Sequence, residues 1–353
     1  MNKYYRIKDI ADLAGVSTGT VDRILHNRGK VSEEARRKVE AVLKKIDYQP
    51  NLIARSLALN KTYRLFVVIP SFAEGEYWGK FYEGVSQAER ELLAYHIEVV
   101  CLGFDQYNPA SFDAVIGQLE RAEPQGVVIA TLFREPVLRL AASLDERQIP
   151  YVLVDAYIEH TDCLTFYGTH SFHSGYLSGR LLAQQLCPEE EMAVFRIQQK
   201  NGWNSTQGEN REKGFRAYVE EQGKGRKIEV VPLLADDKEA NRKTLDVFFE
   251  THPAVGGGVI FNSRAHLLGD YLSRRPTAKA FKLIGFDGIA ANIYYLKKGL
   301  ITHLIAQRPE VQGLNCIKAL FRYLVMEVTP ERVNYMPIDI LVKENIDYYN
   351  NYI

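Results

Sequence analysis

Long apolar runs are missing from this chain. None approaches the roughly 20 residues that a membrane-spanning helix needs, and the opening Met1-Asn2-Lys3-Tyr4-Tyr5-Arg6 has no hydrophobic segment resembling a secretory signal. Cysteine is scarce: Cys101, Cys163, Cys187 and Cys316 show no paired spacing, so neither a disulfide framework nor a zinc site is indicated. A reducing cytoplasm is the expected compartment, with no membrane partner. No G-x-G-x-x-G follows a strand-like segment, which removes the dinucleotide fingerprint, and no cofactor is expected. An excess of one charge is also lacking, with 44 basic and 44 acidic residues, which alone argues against a nucleic-acid partner. What is present is length, 353 residues, and 46% hydrophobic content, enough for two or three domains and a substantial core.

The even balance hides a division. Met1 to Lys61 carries 13 Lys+Arg against 7 Asp+Glu, a net of +6, which leaves −6 on the remainder. A basic module on an acidic body suits phosphate contacts and counterion release. Within that module Ile7, Ile10, Ala11 and Ala14 recur at the spacing of one helical face. Gly15 supplies a tight turn, and Ser17 is placed to cap a second helix from about Thr18 to Leu25, burying Val21, Ile24 and Leu25. Ser32 caps a third helix, with Glu33 and Glu34 in its first turn where the helix dipole favours negative charge. Ala35, Val39, Val42, Leu43 and Ile46 complete a three-helix core. Two short helices joined by a glycine turn predict a helix-turn-helix whose second helix enters the major groove. Asn51 to Leu59 reads as a helix of about two turns, marginal in water on its own and expected to order against a partner such as DNA.

From Tyr63 onward, short Val- and Ile-rich runs alternate with helical patterns. Candidate strands are Leu65–Ile69, Ile97–Leu102, Gly126–Ala130, Tyr151–Asp155, Met192–Ile197, Ile228–Leu233, Gly258–Phe261, Leu283–Phe286 and Ile301–Ile305. The intervening helices include Lys80–Leu93, Phe112–Arg121, Val137–Arg147, Gly175–Leu186, Gly208–Glu221, Lys238–Phe249 and Glu310–Val325. The pattern predicts an α/β body of two lobes built on parallel sheets covered on both faces. Gly256-Gly257-Gly258 is read as a turn before a strand.

The motif residues Ile7-Lys8-Asp9-Ile10-Ala11, Ala14-Gly15-Val16-Ser17, Thr20-Val21, Arg23, Val31-Ser32, Tyr48, Pro50-Asn51, Ala54 and Leu57-Ala58 resemble the LacI family of bacterial transcriptional regulators. The resemblance implies a small all-α helix-turn-helix headpiece over residues 1–50, a hinge helix over 51–61, and a type I periplasmic-binding-protein-like body of doubly wound parallel sheets over 62–350. It implies that Ser17, Thr18, Gly19, Thr20, Arg23, Asn27, Asn51, Ala54 and Leu57 meet operator DNA, with Leu57 wedging into the minor groove. Gly19 and Asp22 depart from the family pattern in base readout. The body would cross between lobes near Tyr167, Leu304 and Asn334, with an effector held in the cleft at the carboxyl ends of the strands.

Tyr77-Trp78 has the spacing of the aromatic pair that stacks on sugar rings in related binding proteins; the bland alternative is loop packing. Arg211, three residues before Gly214, matches an arginine that grips ligand hydroxyls or carboxylates. Asp287 matches a carboxylate accepting paired hydroxyl hydrogen bonds, or it caps a turn. Gln307 and Asp155 end strands at the same rim, and Asn262 or Ser263 supplies a further polar contact. Arg134, Arg211 and Arg264 hint at an acidic sugar, and His170 and His173 with Cys163 raise a metal site that is less favoured than helix capping. The whole reads as a homodimeric regulator, a repressor in a carbohydrate pathway, binding a pseudo-palindromic operator and a sugar or sugar-acid effector. The alternative is a transport-type sugar receptor. The G-x-S-x-G match at Gly15–Gly19 follows a helix rather than a strand, so a hydrolase elbow is not indicated and no enzyme is expected.

Overall fold

The computed structural model describes residues 5–25, 29–46, 62–198, 205–223, 225–275 and 280–349. The chain divides into two compact units between residues 58 and 59. The expected hinge helix, with Asn51, Ala54 and Leu57, and the candidate Asn27 lie outside the described residues.

The first unit contains α1 (Ile7–Ala14), α2 (Thr18–Leu25) and α3 (Glu33–Lys45). Gly15 ends α1 at φ 65, a left-handed conformation that costs glycine little. Ser17 Oγ accepts the Thr20 amide at 3.2 Å and so caps α2, and Ser32 Oγ does the same for Ala35 at 3.3 Å. Ile10, Ala11, Ala14, Val21, Ile24 and Val39 form the core, with Val42, Leu43 and Ile46 packed against it. A core this small leaves each cap a meaningful share of the unit's stability.

The second unit is built on two six-stranded sheets. The first runs in the order β11-β5-β4-β3-β1-β2, with β1 (Tyr63–Pro70), β2 (Ile97–Phe104), β3 (Gly126–Ala130), β4 (Tyr151–Val154), β5 (Thr165–Gly168) and β11 (Val333–Tyr335). The second runs β12-β10-β9-β8-β6-β7, with β6 (Glu191–Gln198), β7 (Ile228–Leu234), β8 (Val255–Val259), β9 (Lys282–Phe286), β10 (His303–Ala306) and β12 (Asp339–Leu341). Every pairing is parallel except β10 with β12. The first lobe carries α4 (Tyr77–Glu91), α5 (Ala110–Ala122), α6 (Arg134–Glu146) and α12 (Pro309–Met326). The second carries α7 (Ser171–Ala183), α8 (Thr206–Glu221), α9 (Lys238–Thr251), α10 (Ala265–Leu272) and α11 (Ala290–Lys297). The central strands of both sheets are almost wholly buried, as helices on both faces require.

Two details correct the sequence reading, at Gly256 to Gly258 and at Tyr77-Trp78. The chain passes between sheets after Gly168, after Ala306 and after Tyr335, each within two residues of the expected Tyr167, Leu304 and Asn334. Tyr167 and Asn334 still pair with each other in the first sheet, and Leu304 to Ala306 pair in the second. An apolar run does not say which sheet it joins, so these crossings depend on partners distant in sequence. Gly256 to Gly258 is not a turn but the middle of β8. A Cβ at Gly257 would lie 2.6 Å from the Lys282 carbonyl, and one at Gly258 would lie 2.5 Å from the Phe195 ring. Tyr77 and Trp78 open α4 rather than preceding it as a loop.

One helix pair in each lobe packs backbone to backbone through glycine. A Cβ on Gly84 of α4 would lie 1.8 Å from the Glu310 carbonyl of α12, and one on Gly313 would lie 2.1 Å from that of Phe81. In the second lobe, a Cβ on Gly175 of α7 would lie 1.8 Å from the Arg211 carbonyl and one on Gly214 of α8 would lie 1.9 Å from that of Phe172. Both contacts hold the first turns of α4 and α8 at the cleft.

Candidate functional site

In the first unit, Ser17, Thr18, Gly19 and Arg23 are exposed, and Thr20 is partly so, on the side of α2 opposite buried Val21 and Ile24. Ser17 and Thr20 hydroxyls are 2.9 Å apart, and Arg23 Nε donates to the Gly19 carbonyl at 3.0 Å. The missing side chain at Gly19 leaves that carbonyl open to the guanidinium, which lies back along the helix. The outer face of α2 therefore presents short hydroxyls and one cation, groups able to donate to phosphates and base edges.

In the second unit, a cleft between the lobes encloses about 1060 Å³ of empty space, part of it solvent at its mouth. Tyr77, Trp78, Asp155, Arg211, Asn262, Ser263, Asp287 and Gln307 all line it, so the eight residues singled out in the body converge. Tyr77 and Trp78 meet edge to face at 5.0 Å, and Trp78 leans on Phe81 at 5.6 Å, giving the first lobe a stiff aromatic wall.

Arg211 forms the floor. It is 1% exposed, donates from Nη1 to the Phe261 carbonyl at 2.7 Å and lies over the Phe286 ring at 4.1 Å. Burial pulls its guanidinium down from its ordinary value, while Asp287 and Asp155 oppose that shift. Asp155 follows β4 in the first lobe and Asp287 follows β9 in the second. Each ends its strand with a positive φ, 91 and 67, a conformation that Asp tolerates at about 1–3 kcal/mol. Burial pushes the Asp155 carboxyl up to about 7, with Arg211 opposing and Asp287 reinforcing the rise. Burial also raises Asp287, against Arg211 and a hydrogen bond from Gln307. Buried charge of this kind is costly unless partnered. Yet among the described residues Arg211 Nε is buried without a hydrogen-bond partner, so the site holds a polar atom that these residues leave unsatisfied.

Among the supporting residues, Gln207 and Asn292 were not legible in the sequence. Gln307 donates from Nε2 to Asp287 Oδ1 at 2.9 Å and accepts from Thr169 at 3.2 Å. Gln207, in the first turn of α8, donates to Asp155 Oδ1 at 2.5 Å across the cleft. Asn292 is fully buried and donates to the carbonyls of Ser263, Phe286 and Asp287, at 3.0, 2.9 and 3.0 Å, holding two rim loops together. The Asn262 carboxamide oxygen accepts the Arg264 amide at 3.1 Å, and Ser263 is partly buried beside it.

The hint of an acidic sugar loses its basis. Arg134 is exposed at the start of α6 and is not among the lining residues, Arg264 sits 3.5 Å from Glu76, and Arg196 is paired with Glu212 at 2.7 Å. Among the described residues the lining holds four acids, Glu76, Asp155, Glu212 and Asp287, against three arginines at 196, 211 and 264. His170 caps α7, its Nδ1 accepting the His173 amide at 3.3 Å, and the two rings stack at 3.8 Å. Among the described residues no cluster of three His, Cys, Asp or Glu could hold a metal ion, and no helix is long and apolar enough to cross a membrane.

Comparison with known proteins places both units. Residues 6–51 match the family model for bacterial regulatory proteins of the lacI family, and residues 66–327 match that of a periplasmic binding protein domain. The chain is 26% identical to a ribose operon repressor of Halalkalibacterium halodurans over 293 residues, 80% of each chain. It is 31% identical to the HTH-type transcriptional repressor PurR of Pectobacterium carotovorum over 180 residues, spanning about half of that protein (51%). The crystal structure of a putative LacI transcriptional regulator from Bacteroides fragilis superposes with a TM-score of 0.79 at 36% identity, covering 82% of this chain and 100% of that one. The chain belongs to the LacI family and is a DNA-binding transcriptional regulator, not an enzyme.

Proposed function

We propose that this regulator is a homodimeric repressor of carbohydrate-metabolism genes in the cytoplasm, whose operator affinity is set by a neutral sugar in the cleft. One observation carries the reading. Arg211 lies buried between carboxylates from opposite lobes beside an aromatic wall, with its Nε unsatisfied among the described residues. Carboxylates accept from sugar hydroxyls, the guanidinium donates to a ring or hydroxyl oxygen, and Trp78 offers its face to sugar C–H groups. The acid-to-base balance of the described lining residues disfavours an added anion. The similarity to a ribose operon repressor agrees with a sugar effector and with repression.

A ligand touching Asp155 and Asp287 together stabilises the closed arrangement of the lobes over open ones, and that difference is what can be transmitted. Coupling of about 1–3 kcal/mol changes operator affinity by roughly 5- to 150-fold. Two-fold symmetry of a dimer calls for a pseudo-palindromic operator. The test is a melting screen of the full chain with D-ribose, D-arabinose, D-glucose and D-galactose beside D-glucuronate and glucose 6-phosphate, followed by duplex selection with and without any hit. At least one neutral sugar should raise the melting temperature and alter duplex binding. Stabilisation by the anions alone would reject the neutral-sugar reading.

A further inference from the structure

Closing the lobes brings together groups that neither lobe positions alone. Thr206 donates from its amide and its hydroxyl to the Leu132 carbonyl, at 3.3 and 3.2 Å. One residue further on, Gln207 is 7% exposed and its Nε2 reaches two atoms of the opposite lobe, Asp155 Oδ1 at 2.5 Å and the Asp155 carbonyl at 3.2 Å. The same nitrogen lies 3.5 Å from Gln307 Oε1, and Gln307 in turn donates to Asp287 Oδ1. Each buried aspartate thus has one oxygen taken by a glutamine amide. The two amides differ in reach. Gln307 follows β10 and holds Asp287 within the second lobe, whereas the Gln207 bond exists only when the lobes meet.

We propose that Gln207 is a positioning residue for effector recognition, bridging the lobes to Asp155 so that closure presents one free oxygen of each buried aspartate to the effector. The inference rests on the reading that the cleft takes a sugar, but the bridge itself is testable without one. An amide suits this position because it donates without adding charge. A carboxylate there would face Asp155, and a hydrocarbon would leave Asp155 Oδ1 buried without its donor. The charged and titratable groups facing the bridge are Asp155, Asp287, Arg211 and Tyr77, and Glu212 on the next turn is held by Arg196 and Arg216.

The experiment compares full-length wild type, Gln207→Leu and Gln207→Glu by small-angle scattering at pH 8 and pH 5.5, each checked for a cooperative melt. Both variants should show a larger radius of gyration than wild type at pH 8. At pH 5.5, Gln207→Glu should contract to the wild-type value, because two facing carboxyls can share a proton, and Gln207→Leu should stay expanded. With any sugar that stabilises wild type, Gln207→Leu should weaken binding about tenfold at both pH values, and Gln207→Glu should do so only at pH 8. If Gln207→Leu remains as compact as wild type at pH 8, the proposal is overturned, even should Gln207→Glu fail to fold. If no sugar acts on wild type while the scattering differences hold, the effector reading fails and the bridge stands.

Discussion

The two lobes of the body are versions of one plan with different chemistry at the cleft. Their sheets have equivalent orders, so β4 corresponds to β9, and Asp155 and Asp287 occupy equivalent strand ends with the same unusual backbone sign. The glycine contacts extend the correspondence to single residues. Tyr77 and Gln207 each stand seven residues before the packed glycine of their helix, Gly84 or Gly214. Phe81 and Arg211 each stand three before it, and their carbonyls meet the glycine of the partner helix, Gly313 or Gly175. At matching register the first lobe has Tyr77, Trp78 and Phe81, whereas the second has Gln207, Gly208 and Arg211. The backbone positions a first helical turn at the cleft twice over. Side-chain choice then makes one turn an apolar platform and the other a set of hydrogen-bond donors.

Exchanging that chemistry should have the largest consequence. Arg211→Phe gives the second lobe the residue of the first and leaves Asp155 and Asp287 buried without their cation. Removing one partner of a buried charge set costs about 3–5 kcal/mol, so denaturant unfolding of the body should show a loss of that size. Sugar-dependent stabilisation should vanish, while operator affinity measured without sugar should change little. An unchanged unfolding free energy would mean that Arg211 does not neutralise the pair.

Next in size are Gly84→Ala and Gly175→Ala, which test whether the two helix contacts are energetically alike. Each forces a Cβ into a carbonyl oxygen and should cost about 2–3 kcal/mol, read as a lowered denaturation midpoint. Only Gly175→Ala moves the backbone of Arg211 itself, so it should reduce sugar affinity further than Gly84→Ala does. Equal losses of affinity would remove that distinction.

A smaller effect separates the equivalent aspartates by pH. Burial raises Asp155 to about 7, above the roughly 3.9 of an exposed Asp. Its protonated form is the one the folded body favours. Its contribution is therefore fully present below about pH 4 and is lost as pH rises through about 7. Asp155→Asn has no such loss, so its melting temperature relative to wild type should rise from pH 5 to pH 8. A gap independent of pH would show that Asp155 is ionised throughout.

The smallest change lies in the other unit, where Ser17→Ala removes the cap of α2. A loss of about 1 kcal/mol in headpiece stability is expected, measured by amide exchange in α2, with the body's unfolding unchanged.

Much of this arrangement was legible in the sequence. The turn glycine, the two serine caps and the apolar face of α1 read directly, because short-range periodicity and capping need only neighbours. The cleft residues Tyr77, Trp78, Arg211 and Asp287 were found through family-like spacing. Gln207 and Asn292 were not, since an amide near a helix start carries no local mark of its partner. Asn292 gains its importance from three carbonyls, those of Ser263, Phe286 and Asp287, that only folding brings to it. The strand at Gly256–Gly258 was missed for a related reason. Glycine there answers to Phe195 and Lys282 rather than to any local turn.

Local order thus determined the helices, the caps, most central strands and the concentration of positive charge in the first 61 residues, because each depends on residues a few positions apart. Tertiary structure alone decided which carboxylates share Arg211, and that an amide from one lobe reaches a carboxylate of the other. These depend on atoms that are 50 or more residues apart in the chain and become neighbours only on folding.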